Sequence, residues 1–295
     1  MNYIGIQQQI RSNNLKTILL LFLFPLLLIL VVFLISNSIL YSLIGLGFCL
    51  IWFLLAFNSH SSMIQNATSA TPLLRKDNQR VYNMVENLCI SQGMEMPKIN
   101  IIYDDSLNAF ASGINNKTFT ITLSRGIINK LNDDELEGVI AHELTHIINR
   151  DVRLLIVSII FVGIFGFISE SVTRGPNRMK SNDNGKNELH FLVISIIASI
   201  IAFVFSKLLQ FAISRKREFM ADAGAAEMTK NPHALASALR KISEDPFIEA
   251  VNRKDVAQLF IDNPKLNTDK KEFLSNLFST HPPIEKRIEI LEQFT

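Results

Sequence analysis

The sequence predicts a mostly helical α+β protein integral to a membrane and carrying a small antiparallel sheet, and three observations support this. Apolar residues make up 48% of the chain and its mean hydropathy is +0.24, more than a soluble domain ordinarily carries. Long apolar runs come in two pairs, one ahead of residue 58 and one between residues 154 and 213. The polar stretches around them alternate in the strand period over one short region and otherwise repeat in the helical one. The chain accordingly divides into residues 1–57, an N-terminal transmembrane hairpin; 58–151, the first half of a polar domain; 152–213, two further apolar segments; and 214–295, the second half of that domain.

Within the hairpin, Leu15 to Ile35 carries one charge, Lys16 at its edge, and is long enough for a helix across a hydrocarbon core of roughly 30 Å. Ile39 to Phe57 follows after a short polar break. The first run exceeds a signal-peptide core and has no small-residue cleavage site behind it. Arg11 and Lys16 ahead of it place the N-terminus in the cytoplasm by the positive-inside rule. A helix is expected around Arg75 to Ser91, then β-rich segments at "KINIIYDD", "NAFASGI" and "TFTITLS". In "NDDELEGVIAHELTHIINRD" either Asn132 or Asp133 caps a helix whose apolar residues Leu136, Ile140, Leu144 and Ile147 recur at helical spacing. Leu154 to Ile168 and Phe191 to Ile213 read as two further spans. Beyond Ser214, "NPHALASALRKI" and "HPPIEKRIEILEQF" read as helices with prolines near their starts.

Composition also excludes partners. A net charge of +2 with dispersed Lys and Arg gives no nucleic-acid surface. Two cysteines, Cys49 and Cys89, without a C-x-x-C pair imply neither a disulfide framework nor a thiolate metal site.

The chemistry lies in "IAHELTHIIN". A helical turn of 3.6 residues stacks His142 and His146 on one face, where two imidazoles reach one Zn²⁺. Glu143 then lies beside the metal, where a general base belongs. No H-x-x-G-x-x-H continuation follows, which excludes the metzincin arrangement. A third ligand must come from elsewhere, and "SRKREFMADAGAAEM" offers Glu218, with Glu227 as the next candidate. Two histidines and one glutamate leave an open position, as catalytic rather than structural zinc requires. Asp222, four residues beyond Glu218, is placed to accept the free ring N–H of a ligand histidine. Small residues from Ala221 to Ala226 let a neighbouring helix approach. Because His146 and Glu218 are separated by the second apolar pair, they share one side of the membrane only if that pair crosses twice or not at all.

Taken in order, "LNAFASG", "IAHELTHIINRD", "AISRKREFMADAGAAEM" and "FSTHPPIEKRIEIL" behind an N-terminal hydrophobic hairpin resemble the HtpX family of membrane zinc metalloproteases, relatives of the CAAX prenyl proteases. The resemblance runs nearly the whole length of the chain. It implies a zincin-like metalloprotease domain, one Zn²⁺ per chain, and a multi-pass bacterial cytoplasmic-membrane endopeptidase acting on polypeptides in membrane-protein quality control. It places His142, His146 and Glu218 as ligands and Glu143 as the catalytic glutamate, with the site facing the cytoplasm. The segment after the hairpin, "HSSMIQNATSATPLL", is less basic than that family leads one to expect. Asn108, Ala109 and Phe110 are candidate substrate contacts on an edge strand, and His281 either stabilises an oxyanion or caps the last helix. Two rival functions are a metal transporter and a zinc-stabilised scaffold without activity. Transport calls for ionisable residues within the spans, and only Lys207 is present; the scaffold reading gives Glu143 nothing to do.

Overall fold

The computed structural model describes residues 6–36, 38–160, 215–244 and 282–294. The elements are α1 (Ile6–Ser36), α2 (Ile39–Thr68), β1 (Thr71–Pro72), α3 (Gln79–Ser91), β2 (Lys98–Ile102), β3 (Ala109–Ser112), β4 (Thr120–Ser124), α4 (Arg125–Lys130) and α5 (Asp133–Ile148). A helix α6 follows from 151 to 160, then α7 (Arg215–Thr229), α8 (Pro232–Glu244) and α9 (Ile284–Glu292). The chain forms two compact units, one of residues 14–59 and 157–212, the other of residues 1–13, 60–156 and 213–295.

In the first unit, α1 and α2 pack closely at Gly45, where an added Cβ would lie 3.4 Å from Val32 Cγ2. Ile39–Thr68 is long and apolar enough to cross a membrane. Its apolar surface faces outward: Leu40, Ile44, Ile51 and Leu55 are each more than half exposed, a patch that water does not tolerate on an isolated monomer. The helix runs past Phe57 because polar side chains turn back onto it. Asn58 donates to the Leu54 carbonyl, Ser59 to Leu55 and Thr68 to Ile64. Of the second pair of apolar runs, Phe191 to Ile213 lies wholly outside the described residues, as do residues 161–168 of the first; the helix from 151 to 160 covers the start of Leu154 to Ile168.

In the second unit, the four strands form one sheet in the order β1-β2-β4-β3. The expected antiparallel sheet is mixed. Strands β3 and β4 form an antiparallel hairpin, and β1 lies antiparallel to β2, but β2 and β4 run parallel with Ile99 opposite Ile121. The cause is insertion: β4 enters between β2 and β3, so a strand opposed to β3 must run with β2. The first polar helix starts at Gln79 rather than Arg75, with the Asn78 side chain accepting the Val81 N–H as its cap.

Helix α5 is the axis of this unit and touches α3, α7, α8, β3 and β4. Its start is fixed by a capping box, in which the Asn132 side chain accepts the Glu135 N–H and Glu135 accepts the Asn132 N–H. Leu136, Val139, Ile140 and Leu144 are fully buried. Glycines set the spacing to its neighbours. A Cβ at Gly138 would meet Leu235 of α8 at 3.2 Å, and one at Gly224 would meet Thr145 at 2.5 Å, so α5 and α7 approach to near backbone contact.

Candidate metal centre

The close approach of α5 and α7 creates the site. His142 and His146 come from successive turns of α5, their rings 4.7 Å apart and almost perpendicular. Glu218, in the first turn of α7, reaches them across the helix pair. The two Nε2 atoms are 3.1 Å apart, Glu218 Oε2 is 3.7 Å from His142 Nε2, and Oε1 is 3.6 Å from His146 Nε2. Donors on a tetrahedral ion at about 2.0 to 2.1 Å stand about 3.4 Å from one another, so the three side chains fit zinc. Among the described residues, these three form the group of acidic, histidine or cysteine side chains able to hold a metal ion. Glu227, on the same helix as Glu218, is exposed.

Each histidine is held from behind. Asp222 Oδ1 lies 3.0 Å from His142 Nδ1, one turn of α7 beyond Glu218. Asp151, just past the end of α5, places Oδ2 3.1 Å from His146 Nδ1. A carboxylate at Nδ1 keeps the proton there and leaves the Nε2 lone pair for a metal. The chain reaches Asp151 by turning through Arg150, which has φ of 62°, an uncommon conformation for a residue with a side chain. The Arg150 guanidinium lies 5.5 Å over the Phe119 ring, which braces the turn.

Arg287 of α9 closes the cluster. It is 1% exposed and donates through Nε and Nη2 to both oxygens of Asp222, at 2.9 and 2.7 Å. Its Nη1 is 3.7 Å from Glu218 Oε2, and Nη2 is within 3.5 Å of the His142 ring. The forked geometry is one only arginine offers. Asp222 and Arg287 hold each other charged against burial: the carboxyl lies below its usual range and the guanidinium above its own. Burial alone would lower the His142 pKa, but hydrogen bonds to Asp222 and Glu218 outweigh it and raise the value to about 9. Four buried carboxylates, Glu143, Asp151, Glu218 and Asp222, face two buried guanidinium groups, Arg217 and Arg287. With neutral imidazoles two negative charges remain, the complement of a divalent cation.

Glu143 lies on α5 next to His142, 3% exposed. Burial raises its pKa despite the histidines beside it and the Ala111 backbone N–H, which act to lower it. The backbone of β3, the terminal strand of the sheet order, packs against the α5 helix that carries Glu143. The side chains of Asn108, Ala109 and Phe110 are buried. Asn108 is bound at N, O and Oδ1 to Ser124 Oγ, Ser124 N and Ala109 N. Its main chain therefore makes the β3–β4 junction, while its side chain accepts the Ala109 N–H. His281 lies outside the described residues. Sequence reasoning missed Asp151 and Arg287. The first was within reach, five residues past His146 in "HIINRD". The second, 145 residues from His142 and buried in an otherwise ordinary amphipathic helix, left no local signal.

Comparison with known proteins identifies the family. The model of peptidase family M48 matches residues 75–295. The protease HtpX homologue of Bacteroides fragilis is 56% identical over the whole of both chains. That of Lactobacillus acidophilus is 38% identical over 97% of this chain and 98% of its own. Dictyoglomus thermophilum has one that is 37% identical over 95% of this chain and 92% of its own. In fold, the chain resembles the crystal structure of S. mikatae Ste24p, with a TM-score of 0.51 and 18% identity, covering 96% of this chain and 66% of that one. A family match that spans the polar domain, with whole-length identity to HtpX proteases, shows that the chain belongs to peptidase family M48 and to the HtpX family within it.

Proposed function

We propose that the chain is a zinc-dependent endopeptidase of the bacterial cytoplasmic membrane, with its site facing the cytoplasm, that cleaves misfolded or membrane-associated polypeptides. The observation that carries this reading is the convergence of His142, His146 and Glu218 on one point with Glu143 beside them. Zinc held by the three ligands would supply Lewis-acid activation of water and of the scissile carbonyl. The chain's own groups do the rest. Glu143 accepts the proton of the attacking water at its carboxylate and passes it to the leaving amine. Burial makes that carboxylate a stronger base than an exposed one. Asp222 and Asp151 hold the imidazoles with Nε2 inward. Substrate in extended form pairs with the outer edge of β3 through the main chain of Ala109, while Asn108 and Phe110, whose main chains turn to β4, flank that contact. Residues 14–59 and 157–212 form the membrane part, and 60–156 with 213–295 the catalytic part.

Replacing Glu143 with Gln tests the assignment. The ligands remain, so the variant should bind zinc in the normal proportion while hydrolysis falls at least about a hundredfold. Activity within a few-fold of the parent would remove Glu143 from its role. A parent protein that binds zinc but cleaves no polypeptide would restore the scaffold reading.

A further inference from the structure

Asn13 lies in the second turn of α1, immediately before the first apolar run, and is fully buried. Its side-chain amide donates 2.6 Å to Asp151 Oδ1 and 2.8 Å to the main-chain carbonyl of Asn149, the residue that ends α5. Both neighbours are acceptors, so chemistry requires the nitrogen of the amide at this position. The other oxygen of Asp151 faces His146 Nδ1 at 3.1 Å. A chain of hydrogen bonds therefore runs from the first helix of the protein through Asp151 to His146. Arg217, the residue before Glu218, lies 3.6 Å from Asp151 Oδ1 through Nη1, so the same carboxylate faces the start of the helix that brings Glu218.

We infer that Asn13 is a positioning residue for the metal centre, which fixes the Asp151 carboxylate and through it the ring orientation and tautomer of His146. The inference rests on the zinc reading above and goes beyond it by assigning the N-terminal helix a part in the site. Three features favour this role over simple helix docking. The Asn13 amide uses both its N–H groups on the two residues that flank the Arg150 turn. That turn takes a strained left-handed conformation, which persists only when its surroundings hold it. The oxygen of Asp151 that Asn13 does not bind is the one at the ligand histidine.

The test uses the full-length protein in detergent and reads zinc affinity by competition with a chromophoric chelator. The visible spectrum of the Co²⁺-substituted protein and the thermal midpoint of the metal-free protein are read alongside. Asp151→Asn should weaken zinc binding 10- to 100-fold, as expected for a carboxylate behind a ligand histidine. Asn13→Leu removes both donors while keeping the branching of the side chain and should weaken it about tenfold with a shifted Co²⁺ spectrum. If that variant does not fold, Asn13→Ala provides the same comparison. The double variant should bind within about threefold of Asp151→Asn alone, because Asn13 acts through Asp151. Asn14→Ala, one position on, should leave zinc affinity unchanged. Parent-like zinc affinity in the Asn13 variants would overturn the inference, as would losses that add in the double variant or equal losses at Asn13 and Asn14. A parent protein that takes up no zinc would overturn the metal reading, and the inference with it.

Discussion

Glu218 and Asp222 lie four residues apart on one helix face, but they meet different atoms: Glu218 faces the two Nε2 positions and Asp222 backs onto His142 Nδ1. Replacing Glu218 with Gln exchanges an anionic donor for a weak neutral one, so zinc should be largely lost during purification and activity with it. Asp222→Asn should cost only 10- to 100-fold in zinc affinity or activity. Metal analysis showing the reverse order would mean the two carboxylates had been exchanged. Arg287 has a different effect. Without it, Asp222 remains buried without its forked donor, and Arg287→Met should destabilise the metal-free protein by about 3 to 5 kcal/mol in denaturant titration. Lysine should recover little, since it cannot span both oxygens; full recovery by Arg287→Lys would show that only the charge matters. At this scale the sequence was legible wherever partners lie within a turn or two of one helix, as His142, Glu143 and His146 do. Glu218 and Asp222 were legible despite their distance in sequence because they share one helix face among small residues, whereas Arg287 and Asn13 were not, because a lone buried polar residue follows no period.

Helix α5 was legible as an element because its cap, acidic first turn and apolar stripe agree. What could not be read was how its neighbours attach. Ser237 and Lys241 of α8 donate to Glu135 at 2.7 and 2.6 Å, so one side chain both caps α5 and binds α8. Burial would raise the Glu135 pKa, but the bonds from Lys241, Ser237 and the Asn132 N–H lower it on balance from 4.5. A carboxylate whose pKa is depressed on folding stabilises the native state above its unfolded value and loses that effect as pH falls through the folded one. Glu135→Gln should therefore cost about 1 to 3 kcal/mol at pH 7, and the gap from the parent should shrink as pH drops below 4.5. A gap independent of pH would mean that the charge contributes nothing. At the α5–α7 contact, alanine at Gly224 would press on Thr145, whose hydroxyl is bound to the Ala141 carbonyl. Overpacking of about 1 to 3 kcal/mol exceeds the helix propensity gained, about 1 kcal/mol. Gly224→Ala should lower the thermal midpoint, and Thr145→Ser, which removes the offending methyl, should restore at least half of it. No recovery would place the strain elsewhere. The strand segments were legible from alternation; their parallel pairing was not, because it depends on where β4 inserts.

At the scale of the whole molecule, the membrane topology follows from which residues share a unit. His142 and His146 precede residues 157–212, Glu218 follows them, and all three converge in one unit. On the proposed membrane reading, a chain that leaves this unit at 157 and re-enters it at 213 ends on the side where it began, so the second apolar pair would cross twice or not at all. The same parity applies to the first pair. Asn13 belongs to that unit, as do the residues from His60 onward, so residues 14–59 also begin and end on one side. On the same proposed reading, Ile39–Thr68, which is long and apolar enough to cross, makes that even number two rather than none. Arg11 and Lys16, on this proposed membrane reading, place both ends in the cytoplasm. Reporters fused after Thr68, where α2 ends, and after Thr295 should therefore both report the cytoplasm. If the reporter after Thr68 were cytoplasmic and the one after Thr295 periplasmic, the segment between would cross an odd number of times, and Glu218 would be separated from the two histidines by the bilayer. That outcome would overturn the metal centre as well as the topology.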